Sequence, residues 1–169
     1  MRGFTEKGRC GYFVIVKIAK QQLLHYTRGI KVDIKDVVHN IGYCGLVCKL
    51  CHEAEKCAGC KSEKNCCGRH LSNEGCFQFD CCVKKGINGC WECEDGPCDK
   101  DMFSEHHDVR NRTFVKVAKN EGIEKLAEYV LNNQKNGIIY GWNKDYDNLG
   151  NEDAIIDLLH NGLNSKYAK

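Results

Sequence analysis

The chain has 169 residues, a formal net charge of +2, 42% hydrophobic residues and fourteen cysteines. That length suits one ordinary domain or two small units packed together, and the composition is that of a soluble globular protein rather than a disordered or collagenous one. No run approaches the roughly 20 apolar residues of a membrane span, and with Pro97 the one proline there is no proline-rich linker.

Residues 1–43 hold a single cysteine, Cys10. Met1 to Arg9 contains an acid and no apolar core, and the apolar run from Tyr12 to Ile18 is broken by Lys17. Lys20-Gln21-Gln22 follows where an export signal would carry a small-residue cleavage site. Dense cysteine without such a signal points to the reducing cytoplasm, where it usually means metal rather than disulfides. Tyr12 to Ile18 is β-branched and aromatic and reads as a strand. Ile34, Val37, Val38 and Ile41 recur at helical spacing, with Asp33 placed as an N-cap. A short strand and helix closing over a metal module is the expectation for this segment.

Residues 44–98 contain thirteen of the fourteen cysteines. Leu46, Val47, Leu50, Leu71, Val83 and Ile87 are nearly the whole aliphatic supply, joined by Phe77, Phe79 and Trp91. Such a segment cannot bury enough apolar surface to offset its chain entropy unaided. Metal cross-links would supply the difference, and stripping the metal should unfold it.

The spacings carry the chemistry: Cys44-x3-Cys48-x2-Cys51, Cys57-x2-Cys60, Cys66-Cys67, Cys76-x4-Cys81-Cys82 and Cys90-x2-Cys93-x4-Cys98. Two residues between thiolates let both sulfurs meet one ion at about 2.3 Å, with backbone N–H groups of the turn facing the sulfurs. Lys49 and Lys61, with Gly59 and Gly89, suit tight, charge-compensated turns. Thiolate-only tetrahedral sets suit zinc and iron–sulfur clusters alike. The triplet Cys44, Cys48, Cys51 has the spacing of radical S-adenosylmethionine enzymes, but the chain lacks the length for their partial barrel. Cys48 to His52 spells the C-x-x-C-H of haem attachment, which normally requires export. His52 and His70 read as solvated or supporting groups beside so many thiols. The vicinal pairs cannot easily place both sulfurs on one zinc, so one of each pair reads as spare.

Residues 1–43 carry 8 Lys/Arg against 3 acids, residues 44–98 carry 7 against 8, and residues 99–169 carry 10 against 12. A four-thiolate zinc site adds about two negative charges, so the loaded block would be acidic. That makes nucleic acid an unlikely partner for it, because a phosphate backbone calls for a basic surface. The sequence leaves the partner open, with a protein the remaining class.

Residues 99–169 read as helical. Phe114, Val117 and Ala118 share one face; after Gly122, Ile123, Leu126, Ala127, Val130 and Leu131 share another. Asn136-Gly137 is a helix stop, and a last helix starts at the cap Asn151 and buries Ile155, Ile156, Leu158 and Leu159. Ser104-Glu105-His106-His107-Asp108 reads as a solvated helix start. Tyr140, Trp142, Tyr146 and Asp147 make an aromatic–acidic stretch that offers a binding face, with ordinary packing the plainer reading.

Tyr43-Cys44-Gly45-Leu46-Val47-Cys48-x-x-Cys51, Cys57-Ala58-Gly59-Cys60-Lys61, Cys76-x4-Cys81, Lys85-Gly86-Ile87, Cys90-x-x-Cys93 and Pro97-Cys98 form an ordered series over about 55 residues. The series resembles the bacterial and archaeal family known as domain of unknown function 3795, regarded as zinc-binding. Glu121 to Leu126, Gly137 to Tyr140 and Asp145 to Asp147 are similar to the tail of its longer members, and residues 1–40 lie outside the likeness. Phe79 stands where members often have a basic residue, Gly96 stands where an aromatic is usual, and Cys66, Cys67 and Cys82 are extras. The resemblance implies ten metal ligands: Cys44, Cys48, Cys51, Cys57, Cys60, Cys76, Cys81, Cys90, Cys93 and Cys98. Ten thiolates suit two four-cysteine zinc sites with two remaining, or a third mixed site.

The expected fold is therefore a small metal-stabilised α+β protein. It has an N-terminal strand/helix extension (1–43), an irregular zinc-knuckle module (44–98) and a C-terminal helical segment (99–169). The expected function is zinc binding in a structural role, as an interaction or regulatory module rather than an enzyme. The alternatives are an iron–sulfur protein of redox or electron-transfer type, and a metal store or thiol buffer.

Overall fold

Residues 32–104, 108–141 and 144–168 are described in the computed structural model of the protein, and among them helices and short 3₁₀ turns carry the architecture. The Tyr12–Ile18 strand, Cys10, the Glu105-His106-His107 stretch and Trp142 lie outside the described residues. Helix α1 (Ile34–His39) opens where the sequence places a cap, with the Asp33 carboxylate accepting the Lys35 N–H at 2.9 Å. Val37 points inward from it and is fully buried. Ile41, which shares the helical spacing, lies beyond the helix end and pairs with Val47 in an isolated antiparallel bridge.

The cysteine block contributes α2 (Ala54–Cys57) and α3 (Phe77–Lys85). Turns make up the rest of the block, with a 3₁₀ turn at Cys48–Leu50 before α2 and another at Cys90–Glu92 after α3. Helix α3 has Asp80 in its first turn, Lys84 and Lys85 in its last, and left-handed Gly86 as its stop, an order that suits the helix dipole.

The C-terminal helices are α4 (Asp108–Glu121), α5 (Ile123–Lys135) and α6 (Glu152–Asn161). Gly122 divides the first two at φ +97°, a conformation that L side chains rarely adopt. The Asn151 side chain accepts the Ala154 N–H at 2.8 Å and starts α6. Of the inward faces that the periodicity predicts, Phe114, Val117, Ala118, Leu126, Ala127, Val130, Leu131, Ile155, Leu158 and Leu159 are buried, whereas Ile123 and Ile156 are half-buried at the edge of the core. They form one core with Val37, Ile41 and Val47, so α1 and the first cysteine turn rest on the helical segment.

Among the described residues the Ile41–Val47 bridge is the one β pairing, and the fold there is small and α-rich. The β half of the expected α+β class rested on Tyr12–Ile18. No helix among the described residues is long and apolar enough to cross a membrane.

The aromatic–acidic stretch is packed. Tyr140 and Tyr146 are buried, with ring centroids 6.1 and 5.5 Å from that of Phe114. Asp147 meets the buried Arg110 at 3.1 Å, and the Arg110 guanidinium also lies 5.0 Å from the Tyr140 ring centre. The Asn133 side-chain amide donates to the Tyr146 hydroxyl at 2.8 Å and to the Leu158 carbonyl at 2.7 Å, tying α5 to α6.

Tyr140 also joins the two halves, since its hydroxyl accepts the Val47 N–H at 2.8 Å in a buried setting. Replacing Tyr140 by Phe keeps the ring and leaves that N–H unsatisfied, a loss of about 1–3 kcal/mol. Urea unfolding of the Tyr140→Phe chain should show a lower midpoint at unchanged slope; an unchanged midpoint would remove the hydroxyl from the account.

Candidate metal centre

All thirteen cysteines of the block are free thiols. Cys44, Cys76, Cys82 and Cys90 are buried, Cys66 is exposed, and the others are half-buried. Three neighbourhoods follow from how the turns fold.

The first surrounds Gly42 and Gly59. A methyl group built on Gly42 would stand 3.2 Å from the sulfurs of both Cys48 and Cys60, so both pack against the same hydrogen-only position. Gly59 holds φ +89°, and a Cβ there would lie 2.9 Å from that of Cys48. This is why a glycine fits inside the Cys57–Cys60 turn: the backbone needs a left-handed residue and leaves no room beside Cys48. Burial pushes the Cys48 thiol up to about 12, and Cys60, Cys51, Cys67 and Cys57 push the same way. Cys67, an extra in the sequence series, therefore lies among the motif cysteines.

Backbone N–H groups face several of these sulfurs. Burial raises the Cys44, Cys51, Cys60 and Cys76 thiols, Cys76 to about 11. Against that, N–H groups of Leu46, Glu53, Tyr43 and Phe79 respectively favour the thiolate. At Cys44 and Cys51 the donor comes two residues after the cysteine, the arrangement expected of a metal-binding turn. Beside Cys51, the His52 Nδ1 is 3.8 Å from the sulfur.

The second neighbourhood is a buried cluster of Cys44, Cys82 and Cys90 with Phe103 and Val115, against which Cys98 packs. The Cys82 and Cys90 sulfurs are 3.8 Å apart. A thiol proton shared between them lowers Cys82 and raises Cys90. The third neighbourhood is on the surface, where Lys85 Nζ donates to the Cys93 sulfur at 3.1 Å with Cys81 close by.

Cations from α4 and from within the block hold these turns. Lys119 on α4 donates to the carbonyls of Cys93 and Glu94 at 2.9 Å and of Gly96 at 3.2 Å. Arg112 donates to the Cys98 carbonyl at 2.8 Å. Lys61 sits 5.2 Å from the ring centre of Tyr43 and 5.0 Å from that of Trp91, clamping the first and last cysteine turns to one ammonium. Only Lys61 had a sequence cue, its place beside a C-x-x-C pair; Lys119 and Arg112 read as ordinary surface charges of a helix.

The donor chemistry fits a soft divalent ion. Crowded, desolvated thiols that raise one another's pKa are relieved by a dication, which takes their protons' place. A ZnS₄ tetrahedron with bonds of about 2.3 Å has an edge of about 3.8 Å, the separation of the Cys82 and Cys90 sulfurs. Among the described residues no three histidine, cysteine, aspartate or glutamate side chains converge on one point, so the thiols are gathered but not closed around an ion. No family model matches the chain, and neither a curated protein nor a solved structure matches it.

The cost of crowding the first turn is measurable without metal analysis. Gly59→Ala forces a side chain into a left-handed position against Cys48, a loss on the order of 1–2 kcal/mol or more. Gly68→Ala, whose methyl would meet nothing within 4 Å, should change stability little. Equal urea midpoints for the two variants would contradict the packing at Gly59.

Proposed function

We propose that the chain is a cytoplasmic zinc-binding protein whose zinc is structural, and that the cysteine block acts as an interaction module rather than a catalytic one. The observation that carries this reading is the packing of Cys48 and Cys60 on Gly42, with backbone N–H groups facing the neighbouring sulfurs. Oriented amides lower the cost of thiolates, and thiolates are what zinc requires. The ten cysteines of the ordered series, Cys44 to Cys98, are the proposed donor pool, and their likeness to domain of unknown function 3795 favours the same metal. A closed four-thiolate site leaves no coordination position for substrate or water, hence the structural role.

The scarcity of aliphatic side chains in residues 44–98 gives the metal its task. Zinc would cross-link turns that rest on the helices through Val47, Lys119 and Arg112 and through the packing of Leu46, Leu50 and Trp91.

Untagged chain prepared without oxygen should be colourless and carry about two zinc ions by elemental analysis. A chelator should abolish the protection of amide hydrogens in residues 44–98 while α5 and α6 keep theirs, as metal-dependent folding predicts. A brown preparation containing iron and sulfide would overturn the zinc reading in favour of an iron–sulfur protein. Many labile ions per chain would favour a thiol store.

A further inference from the structure

Two cysteines sit side by side at residues 81 and 82, and the helix gives them different surroundings. In α3 successive side chains point about 100° apart. Gln78 and Cys82, four residues apart, share the inward face, each 1% exposed. Gln78 fixes that phase by donating to the Lys100 carbonyl at 2.7 Å and accepting the Met102 N–H at 3.3 Å. Cys81 is turned away toward the surface with Lys85 and Cys93. The cysteine of the ordered series thus faces outward, and the extra one faces the core.

Cys82 there contacts the Cys90 sulfur and belongs to a buried cluster with Cys44, Cys90, Phe103 and Val115, against which Cys98 packs beside Trp91 and Met102. Two contacts fix the neighbours: the Cys90 N–H donates to the Tyr43 carbonyl at 2.9 Å, holding the Cys44 turn beside Cys90, and Arg112 holds the Cys98 carbonyl. We propose that Cys82 is a zinc ligand, forming with Cys90 one edge of a four-thiolate site completed by Cys44 and Cys98. The 3.8 Å between the Cys82 and Cys90 sulfurs is a tetrahedral edge and far longer than the roughly 2.05 Å of a disulfide. Each thiol releases its proton to solvent as its Zn–S bond forms, so zinc enters as the dication and no electron moves. The Cys44 and Cys98 side chains must swing inward on loading, because no three sulfurs converge among the described residues.

This inference rests on the zinc reading and deepens it by assigning one site. The full chain loaded with ¹¹³Cd, a soft divalent stand-in for zinc, tests it without mutation, through couplings between cysteine β-protons and the metal. The expected spectrum correlates Cys44, Cys82, Cys90 and Cys98 with one cadmium resonance. Cadmium bound with Cys82 uncoupled, or with Cys81 sharing the ion of Cys90, overturns this assignment and leaves the zinc reading standing. A chain that takes up neither cadmium nor zinc overturns both. Cys82→Ala should in addition lower bound zinc by one ion per chain; full zinc content in that variant overturns the assignment.

Discussion

Burying sulfur where other proteins bury aliphatic carbon is the constraint on which this structure depends. A cysteine side chain removes little apolar area from water, so thirteen of them cannot replace the leucines and valines that residues 44–98 lack. The segment compensates in two ways. It leans on a conventional helical core, to which Val47 is the main apolar contribution from the block. It also brings its thiols close enough to raise one another's pKa, a state that a dication relieves. The same crowding that weakens the block alone would strengthen the hold on a metal that we propose.

The helical half works as a platform with specific fasteners. Tyr140 and Tyr146 bring their hydroxyls into a buried setting, and each finds a partner there: Val47 for one, Asn133 for the other. The Arg110–Asp147 pair is buried beside them. Buried ion pairs seldom add much stability over apolar packing, but breaking one is costly, so such a pair favours one arrangement over its alternatives. Here it fixes the Tyr140 ring, and through its hydroxyl the first cysteine turn. Lys119 and Arg112 do the same for the last turn by gripping its carbonyls rather than its sulfurs.

How much of this the sequence shows depends on whether a local rule or a distant partner decides. Helices α5 and α6 are legible because their apolar spacing, Gly122, Asn136-Gly137 and Asn151 act within a few residues. The cap at Asp33 is legible for the same reason. Ile41 misleads: it continues the helical spacing of α1, yet the chain has already turned into the bridge with Val47. Tyr140 closes the short apolar run Ile138-Ile139-Tyr140 and Tyr146 lies among polar residues, and only the fold reveals that Phe114 and Asn133 wait for them. The knuckle spacings show which cysteines can pair locally, whereas the order of turns in space, which brings Cys67 toward Cys48, depends on contacts far apart in the chain.

Helix α3 shows that limit most sharply. Its apolar residues do not mark its buried face: Phe77 and Val83 are exposed, while Gln78 and Cys82 are buried. A periodicity argument fails because the α3 residue that enters the cluster is a cysteine, and the residue that sets its phase is an amide answering backbone groups at Lys100 and Met102. A series of cysteines aligned by spacing alone then selects Cys81, and the fold presents Cys82 to the buried thiols. Adjacent cysteines on a helix are two different chemical proposals, about 100° apart. Which of them faces the buried thiols is set by the glutamine one turn earlier.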